Sequence, residues 1–243
     1  MFGEPSRTAW DLNFTVLGIP VRVHPMFWVV SVLLGMAGGT AKPVNVLMWV
    51  LAVFISILVH EMGHAVVIRA NGWQPWITLH GFGGLASYQP TRTTPWRQIG
   101  ISLAGPAAGF ALATVILAIL TVAGNDWVVA GMDVMPGPME NVQLRRFTFD
   151  MLFINILWGL VNLLPIYPLD GGQISRQLFN SYGGNDGLRQ SLWLSIFAAA
   201  GVALYAGSRH ELYIALMFGY MAYNSYTILQ AYFGGGGFGG GWR

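Results

Sequence analysis

The feature that most limits what this chain can become is a run of twenty-five residues, Val44 to Ile68, reading VNVLMWVLAVFISILVHEMGHAVVI. It is apolar almost throughout, yet it holds two histidines and a glutamate. A stretch of this length and character matches a bilayer-spanning helix. Ionisable groups inside such a span are costly and by default mark function. In His60-Glu61-Met62-Gly63-His64 the two imidazoles fall four residues apart on one helix face, where both can hold a single zinc ion. Glu61 between them is then positioned as general base toward a metal-activated water. The competing reading makes His60 and His64 buried polar residues bonded to neighbouring helices.

Composition agrees with a bilayer setting. Charged residues make up only 9% of the chain and hydrophobic ones 54%, against about 25% charged in an ordinary soluble domain. There is no cysteine, which excludes disulfides and thiolate ligands and leaves His, Asp and Glu as the strong metal ligands. The net charge of +2 is small and the arginines are scattered, so nothing points to nucleic acid. The first residues, MFGEPSRTAWDLNF, lack the apolar core of a cleavable signal peptide.

Six apolar stretches are expected to form about six transmembrane helices: Pro25 to Gly39, Val44 to Ile68, Ile99 to Ala123, Phe149 to Leu169, Leu188 to Ala206 and Leu212 to Phe233. The segment Gly72 to Pro90, rich in Gly and β-branched residues, reads as a short β-hairpin-like insert after the second. Gly124 to Arg146 reads as a loop. The expectation is therefore an all-α polytopic membrane protein, with 1–233 as a single domain and 234–243, GGGGFGGGWR, as a flexible Gly-rich tail. With the N-terminus cytoplasmic, eight Lys and Arg residues fall on the inner side and four on the outer, favouring N-in and C-in with the His64 end of its span toward the cytoplasm.

A catalytic zinc takes three protein ligands and keeps one position open. The candidates for the third ligand are His24, Asp150, Asp170, His210 and Glu211. Under that orientation only Asp170 and His24 share a face with His64. Asp170 is the better of the two, because it ends the fourth span where Pro165 and Pro168 break the helix. Irregular backbone at membrane depth survives only when buried in protein or lining a cavity. The other reading of Asp170 is a solvated interfacial residue at a helix C-terminus. His24 is read as interfacial, and His80 as structural or solvent-facing.

Asn162, Pro165, Leu169, Asp170, Gly171 and Gly172 form N-x-x-P-x-x-x-L-D-G-G on a different span from His60, Glu61 and His64. Together these residues resemble the site-2 protease family of intramembrane zinc metalloproteases, peptidase family M50. Gly81, Gly83 and Gly84 in the insert, Ala104 to Gly109 in the third span, and the segment from Ile19 to Phe27 extend the resemblance over much of the chain. It implies zinc, one per chain, on His60, His64 and Asp170. It also implies Glu61 as the base that later protonates the leaving amine, and Asn162 orienting the substrate or stabilising the oxyanion. The implied substrate is a single-span or signal-peptide-like membrane protein cut in or near its transmembrane segment, as in regulated intramembrane proteolysis. The resemblance is to the compact form, with no room for a PDZ or cystathionine-synthase-type domain, so control falls to loops, tail or a regulatory membrane partner. The setting fits a prokaryotic plasma membrane. Two other functions remain in view. One is a membrane metal or proton transporter using intramembrane His and Asp residues, against which stands the absence of matched broken helices in two halves. The other is an inactive relative, against which stands the presence of Glu61.

Overall fold

The computed structural model describes residues 4–37, 42–130, 133–139 and 141–233; the expected tail at 234–243 lies outside them. The chain packs as two compact units, one formed by the residues up to Thr93 together with Leu103–Val161, the other by Thr94–Ser102 and the chain from Asn162 onward.

The first unit opens with β1 (Leu12–Val16) and β2 (Ile19–Val23), followed by α1 (Pro25–Ala37), α2 (Pro43–Ala70), β3 (Trp76–His80) and β4 (Gly83–Ser87). The four strands form one sheet in the order β1-β2-β3-β4. The pairs at either end are antiparallel, while β2 and β3 run parallel with Val21, Arg22 and Val23 opposite Ile77, Thr78 and Leu79. The period-2 alternation of strands divides the two sheet faces. Ile19, Val21, Val23, Ile77 and Leu79 pack into one core with Phe27 of α1 and Ala52, Val53 and Ala65 of α2. Arg22, Thr78, His24 and His80 follow the opposite phase.

α2 carries Val53, Ser56, Glu61, His64 and Ile68 on its buried face, a stripe at helical spacing. Leu47, Leu51 and Val66 are exposed on other faces, where lipid suits them. The bulk of α3 (Pro95–Val122) belongs to this unit, as do β5 (Trp127–Ala130) and β6 (Asp133–Pro136), paired as a hairpin, and α4 (Val142–Phe153). α4 continues through a π-helical turn at Ile154–Trp158. Asn155, at its start, donates to Ser56 Oγ and to the Met151 carbonyl, each at 2.8 Å. This buried amide joins α4 to α2.

The second unit contains α5 (Gly159–Asn162) only by its last residue, then α6 (Asp170–Tyr182), α7 (Gly187–Ser208) and α8 (Leu212–Phe233). α7 and α8 pack along each other.

Helix dominates, as the sequence suggests, and among the described residues α2, α3 and α7 are long and apolar enough to cross a membrane; α1 is apolar but shorter. Three expectations need correction. The strands go beyond the one expected insert: β3 and β4 fall within 72–90, but β1 and β2 join them in a four-stranded sheet and β5 and β6 form a second sheet. The segment 124–146 is not all loop: it holds β5, β6 and the first turn of α4. Asp170 does not end a helix that reaches it from Phe149. That helix stops at Asn162, and Asp170 opens α6 with Leu169 as its N-cap. Pro165 and Pro168 cannot continue a helix from the N-terminal side, whereas an acidic residue suits the first turn of a new one.

Candidate metal centre

The stripe on α2 turns His60, Glu61 and His64 inward together. His64 and Glu61 are buried and His60 half-buried. The two Nε2 atoms stand 3.2 Å apart, with the rings nearly perpendicular at 80°. Zinc–nitrogen bonds of about 2.05 Å at a tetrahedral angle would separate two ligand nitrogens by roughly 3.3 Å. The imidazoles therefore already stand at the spacing one zinc ion needs. One ligand atom from each of His60, Glu61 and His64 lies within 4.8 Å of the others.

Three glycines from three elements bring backbone up to this cluster. A Cβ on Gly63 would lie 2.8 Å from Ala108 Cβ and closer still to the Ala104 carbonyl, so α2 and α3 touch at the motif itself. A Cβ on Gly105 of α3 would stand 2.7 Å from His60 Nε2 and nearer again to His64 Nε2. A Cβ on Gly84 of β4 would stand 2.6 Å from Glu61 Cδ. Any side chain at Gly105 would enter the space that the two imidazole nitrogens share. The sequence reading noted the Ala104–Gly109 segment and the insert glycines only by resemblance. Their role becomes visible once the packing is known.

Asp170 and Asn162 belong to the second unit. Asn162 is buried at the end of α5. The loop from Leu163 to Leu169 is held by short turns, with Ile166 N–H on the Leu164 carbonyl at 2.7 Å and Leu169 N–H on the Ile166 carbonyl at 2.8 Å. Gly171 and Gly172 press against the backbone of Leu163 and Ile166, an approach that no Cβ permits. The guanidinium of Arg176 lies over the Tyr167 ring at 5.8 Å. Asp170 thus stands in the first turn of α6, directly after a folded-back loop.

His24, read from the sequence as interfacial, and His80, read as structural or solvent-facing, stand side by side one residue beyond the Val23–Leu79 pair of the parallel ladder. Each Nδ1 accepts a backbone N–H two residues on, from Met26 and Phe82 respectively, at 3.2 Å. Burial, helped by the nearby His24 and Arg22, lowers the His80 pKa. At the start of the sheet, Asp11 accepts from Thr8 Oγ1 at 2.6 Å and pairs with Arg22 at 3.0 Å. The Thr8 hydroxyl, then Arg22, holds the Asp11 carboxyl down at about 2. These groups fix strands and caps; the metal cluster lies on the other face of the sheet.

An apolar, bilayer-length helix carrying a two-histidine, one-glutamate cluster walled by glycine backbone defines a membrane protein with a metallohydrolase-type site. Comparison with known proteins agrees. Residues 48–206 match peptidase family M50, and the chain belongs to that family. A protein of Synechocystis sp. is 30% identical over 184 residues, covering 70% of this chain and 44% of its own length. The zinc metalloprotease MJ0392 of Methanocaldococcus jannaschii is 25% identical over 224 residues, 90% of this chain and 57% of that protein. The chain spans about half the length of the curated relatives it matches. Among solved structures, the site-2 protease from Methanocaldococcus jannaschii shares the fold, with a TM-score of 0.60 at 20% identity, over 90% of this chain and 95% of that one.

Proposed function

We propose that this protein is an intramembrane zinc endopeptidase that hydrolyses a peptide bond in or near the membrane-spanning segment of another membrane protein. The observation that carries the reading is the 3.2 Å separation of the His60 and His64 Nε2 atoms beside the buried Glu61. In this reading His60, His64 and Asp170 hold one zinc. When bound, zinc supplies a Lewis acid for the scissile carbonyl and lowers the pKa of water into the neutral range. The Glu61 carboxylate takes a proton from the attacking water and later gives it to the leaving amine nitrogen. The Asn162 amide orients the substrate or donates to the developing oxyanion.

A substrate helix hides its peptide bonds in its own hydrogen bonds, so it must unwind before it is cut. The unwound segment has an edge strand to meet, because β4 lies at the border of the sheet and Gly84 within it lies against Glu61. Strand addition at β4 would draw an extended peptide past the base. Prolines introduced into β4 should lower cleavage and leave zinc content unchanged; unaltered cleavage would remove strand addition from the account. The reading further takes 1–233 as one catalytic domain with six membrane crossings, both termini cytoplasmic and the site nearer the cytoplasmic face of a prokaryotic plasma membrane.

The test is zinc per chain in detergent-purified protein beside an Asp170→Ala variant. One zinc in the parent and far less in the variant supports the three-ligand site. A folded parent that takes up no zinc when it is supplied would end the proposal.

A further inference from the structure

The loop that presents Asp170 runs through irregular backbone between Pro165 and Pro168, neither of which has an N–H to give. The amide between them at Tyr167 does, and in an apolar setting it must find an acceptor. It finds one outside the loop: Tyr167 N–H donates to Ser195 Oγ of α7 at 2.8 Å. Ser195 is 1% exposed and its hydroxyl also meets Ser225 Oγ of α8, itself fully buried, at 2.9 Å. Serine in a membrane helix commonly bonds back to the carbonyl one turn earlier. Ser195 instead bridges two other elements, a loop amide on one side and a neighbouring helix on the other.

We propose that Ser195 is a positioning residue for the third zinc ligand: its hydroxyl, steadied by Ser225, pins the Tyr167 amide and so fixes where the Asp170 carboxylate stands. This rests on the reading of Asp170 as a ligand. Only Pro168 and Leu169 separate Tyr167 from Asp170, and the glycines that follow Asp170 are locked on Leu163 and Ile166. The Ser195 bond is thus the anchor that ties this loop to the α7–α8 pair. Ser225 supports Ser195 from behind without touching the loop amide. The order of effects follows from that chain of contacts: Ser195 matters most to the metal, Ser225 much less.

The experiment compares the parent with Ser195→Ala, Ser195→Thr, Ser225→Ala and Asp170→Ala, all full-length and detergent-purified. It measures zinc affinity by competition with a chromogenic chelator, the visible absorption of the cobalt-substituted forms, and the thermal midpoint without metal. Outer-shell partners of metal ligands are worth roughly tenfold to a hundredfold in affinity. Ser195→Ala is expected to fall in that range and to shift the cobalt spectrum, Ser195→Thr to recover the parent's values, and Ser225→Ala to stay within about twofold of them. If Asp170→Ala binds zinc like the parent, the ligand reading itself fails. If Asp170→Ala loses zinc while Ser195→Ala keeps the parent's affinity and spectrum, the positioning role alone is overturned. Equal losses of affinity and melting temperature in Ser195→Ala and Ser225→Ala would also overturn it, as a purely structural pair. Should Ser195→Ala fail to fold, Ser195→Cys keeps a weaker sulfur acceptor and carries the same comparison, with an intermediate loss expected and the parent's affinity again refuting the proposal.

Discussion

Gly105→Ala tests the geometry of the metal centre with a single methyl group. Its Cβ would lie 2.7 Å from His60 Nε2 and still closer to His64 Nε2. The favourable separation for such atoms is about 3.5 Å, so His60 must retreat by roughly 0.8 Å, and His64 further. Metal–ligand distances tolerate only about 0.2 Å. Backing α3 away would relieve this only by giving up the close packing of Gly63 of α2 against the Ala104 carbonyl one residue earlier. Otherwise the imidazoles must rotate out of register. The expected loss in zinc affinity is at least about a hundredfold, the upper end of what disturbing a mere outer-shell partner costs. The control is Gly100→Ala on the same helix, where a Cβ meets nothing within 4 Å. There the same chemical change should raise stability by about 0.5–1 kcal/mol through helix propensity and leave zinc alone. Elemental analysis of zinc per chain, beside a thermal melt of each variant, reads both effects. A folded Gly105→Ala protein that binds zinc as tightly as the parent would refute the claim that α3 backbone walls the site.

Other substitutions separate metal binding from chemistry. Glu61→Gln should keep the parent's zinc content and reduce cleavage by about 10²–10⁴-fold, the usual worth of a general base; loss of zinc in this variant would mean Glu61 is a ligand instead. Gly84→Ala should displace the Glu61 carboxylate, whose Cδ would lie 2.6 Å from the new methyl, so that cleavage falls steeply in a substrate assay while zinc per chain holds. The Asp11 carboxyl, held at about 2 by Thr8 and Arg22, is depressed in the folded state. Its contribution to stability is therefore complete above the ordinary carboxylate value of 3.8 and is lost as pH falls through about 2. Melting temperature measured from pH 5 downward should show a steeper acid decline in the parent than in Asp11→Asn; identical slopes would contradict the assignment.

The parts legible in the sequence are those whose physics is local. The apolar run around His60, Glu61 and His64 announces a helix and its inward face at once, because hydrophobic length and four-residue spacing both act along one helix. Pro165 and Pro168 likewise mark the broken segment before Asp170. The parts that stayed hidden depend on pairing across distance. The β1–β2 hairpin turns on Leu17 and Gly18 with φ of 49° and 78°; a leucine in left-handed backbone gives none of the Asn-Gly signal that normally betrays such a turn. The β2–β3 ladder joins strands with two helices between them. α6 went unread because Gly171 and Gly172 weaken any helical forecast, whereas in the fold they are what lets its first turn lie against Leu163 and Ile166. Gly105 is legible in the sequence only as part of the Ala104–Gly109 resemblance, and only the positions of His60 and His64 show what it does.

The parallel rung between β2 and β3 also bears on the proposed membrane topology. Where two strands of one sheet lie on the same side of a membrane, the chain between them crosses an even number of times. α2, with 28 residues, is about 42 Å long, apolar and long enough for one crossing. α1, with 13 residues, reaches only about 20 Å, short of the roughly 30 Å hydrocarbon core, and by length alone would not be counted. In the proposed six-crossing arrangement α1, apolar though short, makes the outbound trip. That arrangement puts the amino-terminal hairpin and the His64 end of α2 in one compartment, which a label at Thr8 and another beyond Ile68 would test.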